Sequence, residues 1–210
     1  METLRRKYLN ILLNELKLKG KVLDVGGQKF NKRSDPRLDL SNVEEFLYLN
    51  NDKTTKPDIL AEAQEIPFES DYFDFVLLIE VLEHVKDPIS VLKEVNRVIK
   101  EGGFLIMSMP FLNSIHADPY DFQRWTPTKI ILELKKIGNK NIIIKEMGGF
   151  YAVINDLIRF QIYKNTSVLR KIYVWIYNYF LKIIFFKLDK FDSKSKDYMT
   201  TGYFIYSQKA

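Results

Sequence analysis

DILAEAQEIPFESDYFDFVLLIEVLEHVKDPISVLKEVNRVIKEGGFLIMSMPF, residues Asp58–Phe111, carries the alternation that decides the fold. Phe73–Ile79 is a short, nearly unbroken apolar run, as expected of a strand buried on both faces. Pro88–Lys100 then places Val91, Leu92, Val95, Val98 and Ile99 along one side of a helix, and Gly103–Met107 is a second apolar run. Strand, helix, strand is a βαβ unit, whose right-handed crossover joins parallel neighbours in one sheet.

The same pattern extends in both directions. Upstream, KVLDVGG (Lys21–Gly27) reads as a buried strand entering a tight turn, and Glu45–Leu49 as another strand. Downstream, Thr126–Ile137 has Ile130, Ile131, Leu134 and Ile137 at helical spacing, followed by a strand over Asn141–Lys145. The expectation is an α/β fold, a mostly parallel sheet with helices on both faces, in a single domain spanning 1–210. Residues 1–20 would form an N-terminal amphipathic helix closed by Gly20, on the spacing of Leu4, Tyr8, Ile11, Leu12 and Leu16. Open sheets of this kind bind ligands at the carboxyl ends of their strands.

The 210 residues are 46% hydrophobic and 14% aromatic, enough for a sizeable core, which excludes a disordered or fibrous chain. A net charge of +5, spread without a basic tail, points to no nucleic-acid partner, and DNA is not expected. The absence of cysteine removes disulfides, thiolate metal sites and cysteine nucleophiles, and fits a cytoplasmic location.

Asp24, Gly26 and Gly27 end the first strand, where glycines let backbone approach a ligand and Asp24 puts a carboxylate beside any cationic group. The second strand runs into Asn50, Asn51 and Asp52, and a carboxylate there can accept both hydroxyls of a ribose. Read with the long stretch quoted above, these motifs resemble the class I S-adenosylmethionine-dependent methyltransferases, specifically the methyltransferase-11-type group. The resemblance runs from Lys21 to about Phe150 and is carried by the patterns DxxAEAxxIPF and FDxVxxxEVLEHxxDPxxxLxExxRVxKxGGxLIxxxP. It implies a Rossmann-like seven-stranded sheet and S-adenosyl-L-methionine as cofactor. It further implies that Asp24, Gly26 and Gly27 cradle the methionine end, Asp52 holds the ribose, Glu62 and Ala63 meet the adenine, and Ile79 with Glu80 flank the methionine. The third glycine usual in that signature is missing. Gly27 is instead followed by QKFNKRSDPRLDL, so a short or irregular first crossover is expected, with a looser hold on the methionine carboxylate.

Methyl transfer from a sulfonium is an in-line displacement, so the protein aligns the partners and excludes water, with a base needed for a hydroxyl acceptor. His84 and His116, the two histidines of the chain, both follow strands at the ligand edge and are the candidate catalytic residues. The run PFLNSIHADPYDFQRWTP resembles a methyltransferase subgroup associated with glycan pathways, which implies a glycan or related small-molecule hydroxyl as acceptor. Glu80, Glu83 and His84 could converge with His116 if the EVLEH segment is helical. Similar E-x-x-E-H segments bind divalent ions in quinone and small-RNA methyltransferases, which implies, as an alternative, a metal-assisted enzyme acting on a quinone-like or RNA substrate. The same segment also serves as a brace at a helix start, and no metal ligand is assigned. A catalytically silent domain acting as a binding subunit is the reading from a different class.

From Gly148 to about Lys190 aromatic and basic residues crowd together, predicting a helical insertion over 150–190 before the last strand. Lys171, Asn178, Lys182 and Asp189 recur on one polar face and leave a broad apolar remainder. Such a helix suits a lid, a homodimer surface or peripheral membrane contact through 168–188, with Arg170, Lys171, Lys182 and Lys187 toward headgroups and Trp175, Tyr179 and Phe186 at the boundary.

Overall fold

A computed structural model describes residues 2–28, 38–116, 119–164, 174, 177–192 and 194–210. Seven strands form one sheet: β1 (Lys17–Val25), β2 (Asp39–Asn50), β3 (Ile59–Leu60), β4 (Phe73–Ile79), β5 (Ile99–Pro110), β6 (Asn139–Glu146) and β7 (Gly202–Lys209). Their order is β3-β2-β1-β4-β5-β7-β6. The pairs among β1 to β5 are parallel, and β7 is inserted antiparallel between β5 and β6.

The helices are α1 (Leu4–Asn14), α2 (Pro88–Val98), α3 (Pro127–Lys136), α4 (Phe150–Lys164) and α5 (Lys182–Phe191), with a π-helical stretch over Tyr177–Leu181 before α5. Three are started by side-chain caps. Thr3 accepts from the Arg6 amide, Asp87 from Ser90 and Thr126 from Lys129, and Pro88 and Pro127 occupy the first turns of α2 and α3.

Alternation along the central strands splits the core in two. Phe73, Val76 and Leu78 of β4, with Leu105 and Met107 of β5, pack beneath Val91, Leu92, Val95, Ile130 and Leu134 of α2 and α3. Phe75, Leu77 and Ile106 face the other way, onto Leu4, Leu9 and Leu13 of α1 and Ala152 of α4. An uninterrupted apolar strand is what a sheet covered on both faces requires.

The N-terminal helix is shorter than its sequence pattern predicts. It ends at Asn14, and Lys17–Gly20 already belong to β1. Gly20 marks a break in the β1–β2 register with φ +64°, not a helix end. A Cβ at that glycine would strike the Asp74 carboxylate, which accepts from the Lys21 amide at 2.8 Å and binds Lys100. The glycine was thus a bulge signal rather than a stop signal.

The insertion before β7 is helical where it is described, but its polarity runs against the expected pattern. Asp189, placed by its spacing on a solvated face, is fully buried. It accepts from the Tyr8 hydroxyl at 2.7 Å and from the amides of Gly149 and Ala152 at 3.0 and 2.9 Å. Ile183, Ile184, Leu188 and Phe191 of α5 are exposed instead. Arg170, Lys171 and Trp175, the crossover after Gln28, and the side chains of Asn178 and Tyr179 lie outside what is described. No helix among the described residues is long and apolar enough to cross a membrane.

Candidate active site

A cleft of about 1120 Å³ opens at the carboxyl ends of β1, β2 and β4. Its floor is the turn after β1. Gly26 has φ +78°, a region costly for residues with a side chain, and a Cβ there would come within 2.6 Å of Val81. A Cβ on Gly27 would collide with the Asp24 carboxylate and stand 2.9 Å from the Tyr48 ring. The glycine pair therefore lets the carboxylate lie against the turn. Asn50 locks the same turn, donating to the carbonyls of Gly26 and Gly27 at 3.2 and 3.1 Å, while the Gly26 amide donates to Leu49 at 2.7 Å. Burial pushes the Asp24 carboxyl up to about 7.

The rim beside β2 carries the next group. Asp52 accepts from the Thr54 hydroxyl and amide, at 2.7 and 2.8 Å, and these bonds hold its carboxyl below the usual range. It remains an anion at the cleft edge. Glu62 accepts from the side-chain Nδ2 of Asn51 at 3.2 Å, and Ala63 lies beside it in the lining.

Ile79 and Glu80 close β4 from the opposite side. Glu80 has φ +57°, and its carboxylate turns to α1, where it pairs with the Arg5 guanidinium and stands 3.7 Å from that of Arg6. The segment that follows is a single 3-10 turn, Leu82–His84, not an α-helix. Glu80 therefore does not join Glu83 and His84, and the grouping expected from a helical EVLEH segment is corrected on that point.

Glu83, His84 and His116 do meet, with one ligand atom of each lying within 4.8 Å of the others. His84 Nδ1 donates to the Tyr120 carbonyl at 2.6 Å, and His116 Nδ1 to the Ser114 carbonyl at 3.1 Å. The two Nε2 atoms are left toward Glu83, at 3.8 and 4.0 Å from Oε1. Glu83 is fully buried, and neither of its carboxylate oxygens has a hydrogen-bond partner. Burial raises the Glu83 carboxyl and lowers the His116 imidazole, each toward its neutral form. Asp121 accepts from the His116 amide at 3.1 Å and is held at about 2 by Arg124. The loop after β5 is stapled to the 3-10 turn, because Gln123 donates to the carbonyls of Leu82 and Val85 at 2.8 and 3.0 Å.

All ten residues selected from sequence line this one cleft: Asp24, Gly26, Gly27, Asp52, Glu62, Ala63, Ile79, Glu80, His84 and His116. Arg5 and Arg6 line it too and were not anticipated. On an amphipathic helix a pair of arginines reads as a solvated face, and no local pattern distinguishes arginines directed at a strand end about 75 residues away.

The family model described as a methyltransferase domain, of the methyltransferase-11 type, matches residues 38–107. An uncharacterized protein of Methanocaldococcus jannaschii is 28% identical over 165 residues, 64% of this chain and 80% of its own length. The ubiquinone/menaquinone biosynthesis C-methyltransferase UbiE of Coxiella burnetii is 36% identical over 70 residues, 31% of this chain but 28% of that enzyme. Among solved structures, an S-adenosylmethionine-dependent methyltransferase from Archaeoglobus fulgidus superposes with a TM-score of 0.61 at 16% identity, covering 97% of this chain and 94% of its own. The matched segment, a third of the chain, spans β2 to β5, the fold is that of the class I S-adenosylmethionine-dependent methyltransferases, and the cleft lies where this topology binds its ligand.

Proposed function

We propose that the chain transfers the methyl group of S-adenosylmethionine to a hydroxyl of a glycan or related small molecule, with His116 and His84 serving the acceptor. The observation that carries this reading is the pair of imidazoles in the cofactor cleft, each tied through Nδ1 to a carbonyl so that Nε2 is the basic atom. The acceptor oxygen forms a bond to the methyl carbon as the carbon–sulfur bond breaks. The electron pair stays on sulfur, and the hydroxyl proton passes to Nε2 of His116. A carbon acceptor, as in the reaction named for UbiE, is not carried over, since that similarity covers under a third of either chain. The resemblance of the His116 loop to glycan-pathway methyltransferases supports the sugar-like acceptor.

A metal-assisted enzyme is the second reading, favoured by one observation. The Glu83 oxygens have no donor, and the two Nε2 atoms nearest them are themselves acceptors, so a shared proton or a divalent cation would satisfy all three. Labelled methyl transfer to fractionated glycans, lipids and RNA tests both readings. His116→Ala is expected to lower turnover by about 10²-fold while leaving cofactor affinity within about twofold. Turnover on glycan fractions that survives a chelator supports the first reading. Loss on chelation with recovery on Mn²⁺ installs the second, and cofactor binding without transfer to any acceptor leaves a binding subunit.

A further inference from the structure

The methionine end of the cofactor presents an ammonium and a carboxylate, and a site for it needs one charge of each sign. Asp24 supplies the negative one at the glycine turn. Neither the glycine turn nor the end of β4 offers a cation of its own, since Gly26, Gly27, Ile79 and Glu80 are neutral or acidic. Among the described residues lining the cleft, the basic side chains besides the histidines are Arg5 and Arg6 of α1 and Lys86.

Arg5 is 8% exposed and its guanidinium pairs with the Glu80 carboxylate, so these two charges cancel. Arg6, next along the helix, stands 3.7 Å from the other Glu80 oxygen, at the margin of an ion pair. The Arg5–Glu80–Arg6 group thus carries one surplus positive charge, on a guanidinium that is 31% exposed toward the cleft it lines. Glu80 immediately precedes Val81, which a Cβ on Gly26 would strike, and Arg6 lines the same cleft as Asp24 and Gly26. Lys86, a further lining cation, is exposed and follows the turn bearing His84.

Helix α1 is fixed rigidly enough to hold such a group. Leu4, Leu9 and Leu13 are buried against the sheet, Thr3 caps the helix, and Asp156 of α4 accepts from the Leu4 amide at 3.1 Å. The helix backbone that carries Arg6 is in place before any ligand arrives, which lowers the entropic cost of binding. A guanidinium fork also matches a carboxylate in plane, with two parallel N–H donors.

We infer that Arg6 is a cofactor-positioning residue that binds the methionine carboxylate of S-adenosylmethionine, with the Arg5–Glu80 pair holding it in place. The N-terminal helix thereby supplies a cation for this end of the cofactor. This rests on S-adenosylmethionine being the cofactor, which binding of S-adenosylhomocysteine by the wild-type chain tests separately.

The decisive experiment is calorimetric titration of wild type, Arg6→Ala and Arg6→Lys with three ligands. These are S-adenosylhomocysteine, decarboxylated S-adenosylmethionine, which lacks the carboxylate, and methylthioadenosine, which lacks the whole amino acid. Arg6→Ala is expected to weaken S-adenosylhomocysteine by about tenfold or more, the scale of a charge-assisted hydrogen bond, with both carboxylate-free ligands within about twofold of wild type. Arg6→Lys, which keeps the charge without the fork, should fall between. Equal weakening of all three ligands would show that Arg6 merely supports α1, and no weakening of any would assign the carboxylate elsewhere; either overturns the inference. Retained binding of methylthioadenosine shows that the variant is folded. Failure of the wild-type chain to bind S-adenosylhomocysteine would overturn the cofactor assignment, and this inference with it.

Discussion

Asp24 shows how one residue couples the glycine turn to pH. Its folded carboxyl lies near 7, raised by burial from an ordinary carboxylate value. Because the folded pKa is raised, the ligand-free protein is favoured while Asp24 is protonated and loses stability as pH climbs from about 4 through 7, where the buried charge forms. The cofactor ammonium reverses that cost by pairing with the anion. Affinity for S-adenosylhomocysteine is therefore expected to rise about tenfold from pH 6 to pH 7.5 and then level off. Titration calorimetry across that range checks it: a flat profile in the wild type removes Asp24 from the ammonium, and Asp24→Asn should bind weakly with no such slope.

The sheet is covered unequally by its elements. Helices α2 and α3 lie on it through aliphatic side chains, whereas α1, α4 and α5 are also joined to one another by buried acids. Asp156 receives the first amides of α1, and Asp189 ties Tyr8 of α1 and the start of α4 to α5. Asp189→Ala would leave a buried hydroxyl and two buried amides without acceptors, so a loss of ~3 kcal/mol in unfolding free energy is expected. Denaturant titration measures it, and a loss below about 1 kcal/mol would mean that water replaces the carboxylate. Asp189→Asn, which keeps an oxygen acceptor, should lose less. The spacing of Asp189 with Lys171 and Lys182 suggested a water-facing stripe because helical periodicity says which residues share a face. Which way that face points depends on Tyr8, 181 positions away.

Across the molecule, α4 and α5 leave Leu157, Ile183, Ile184, Leu188 and Phe191 on the surface, with Lys187 and Lys190 among them. Apolar side chains rimmed by lysines are suited to the boundary of an anionic bilayer. Flotation with anionic liposomes at low salt is expected to carry the wild-type chain, and the double substitution Ile183→Glu with Leu188→Glu to abolish it. Failure of the wild type to float would leave this surface to a second subunit. The fold was legible because its signals are local. An apolar run buried on both faces marks Phe73–Ile79, a helical repeat marks Pro88–Val98, and their alternation forces parallel crossovers. The cleft residues were legible for the same reason, since topology places the carboxyl ends of the parallel strands at one edge. Charge pairing has no such local signature. Arg5 turning to Glu80, the two histidines aiming Nε2 at Glu83, Gly20 serving a bulge and Asp189 entering the core each depend on atoms that the chain brings together only on folding. Periodicity along the chain records which surfaces must be buried, while the partner of each buried charge is set by where separate elements come to lie.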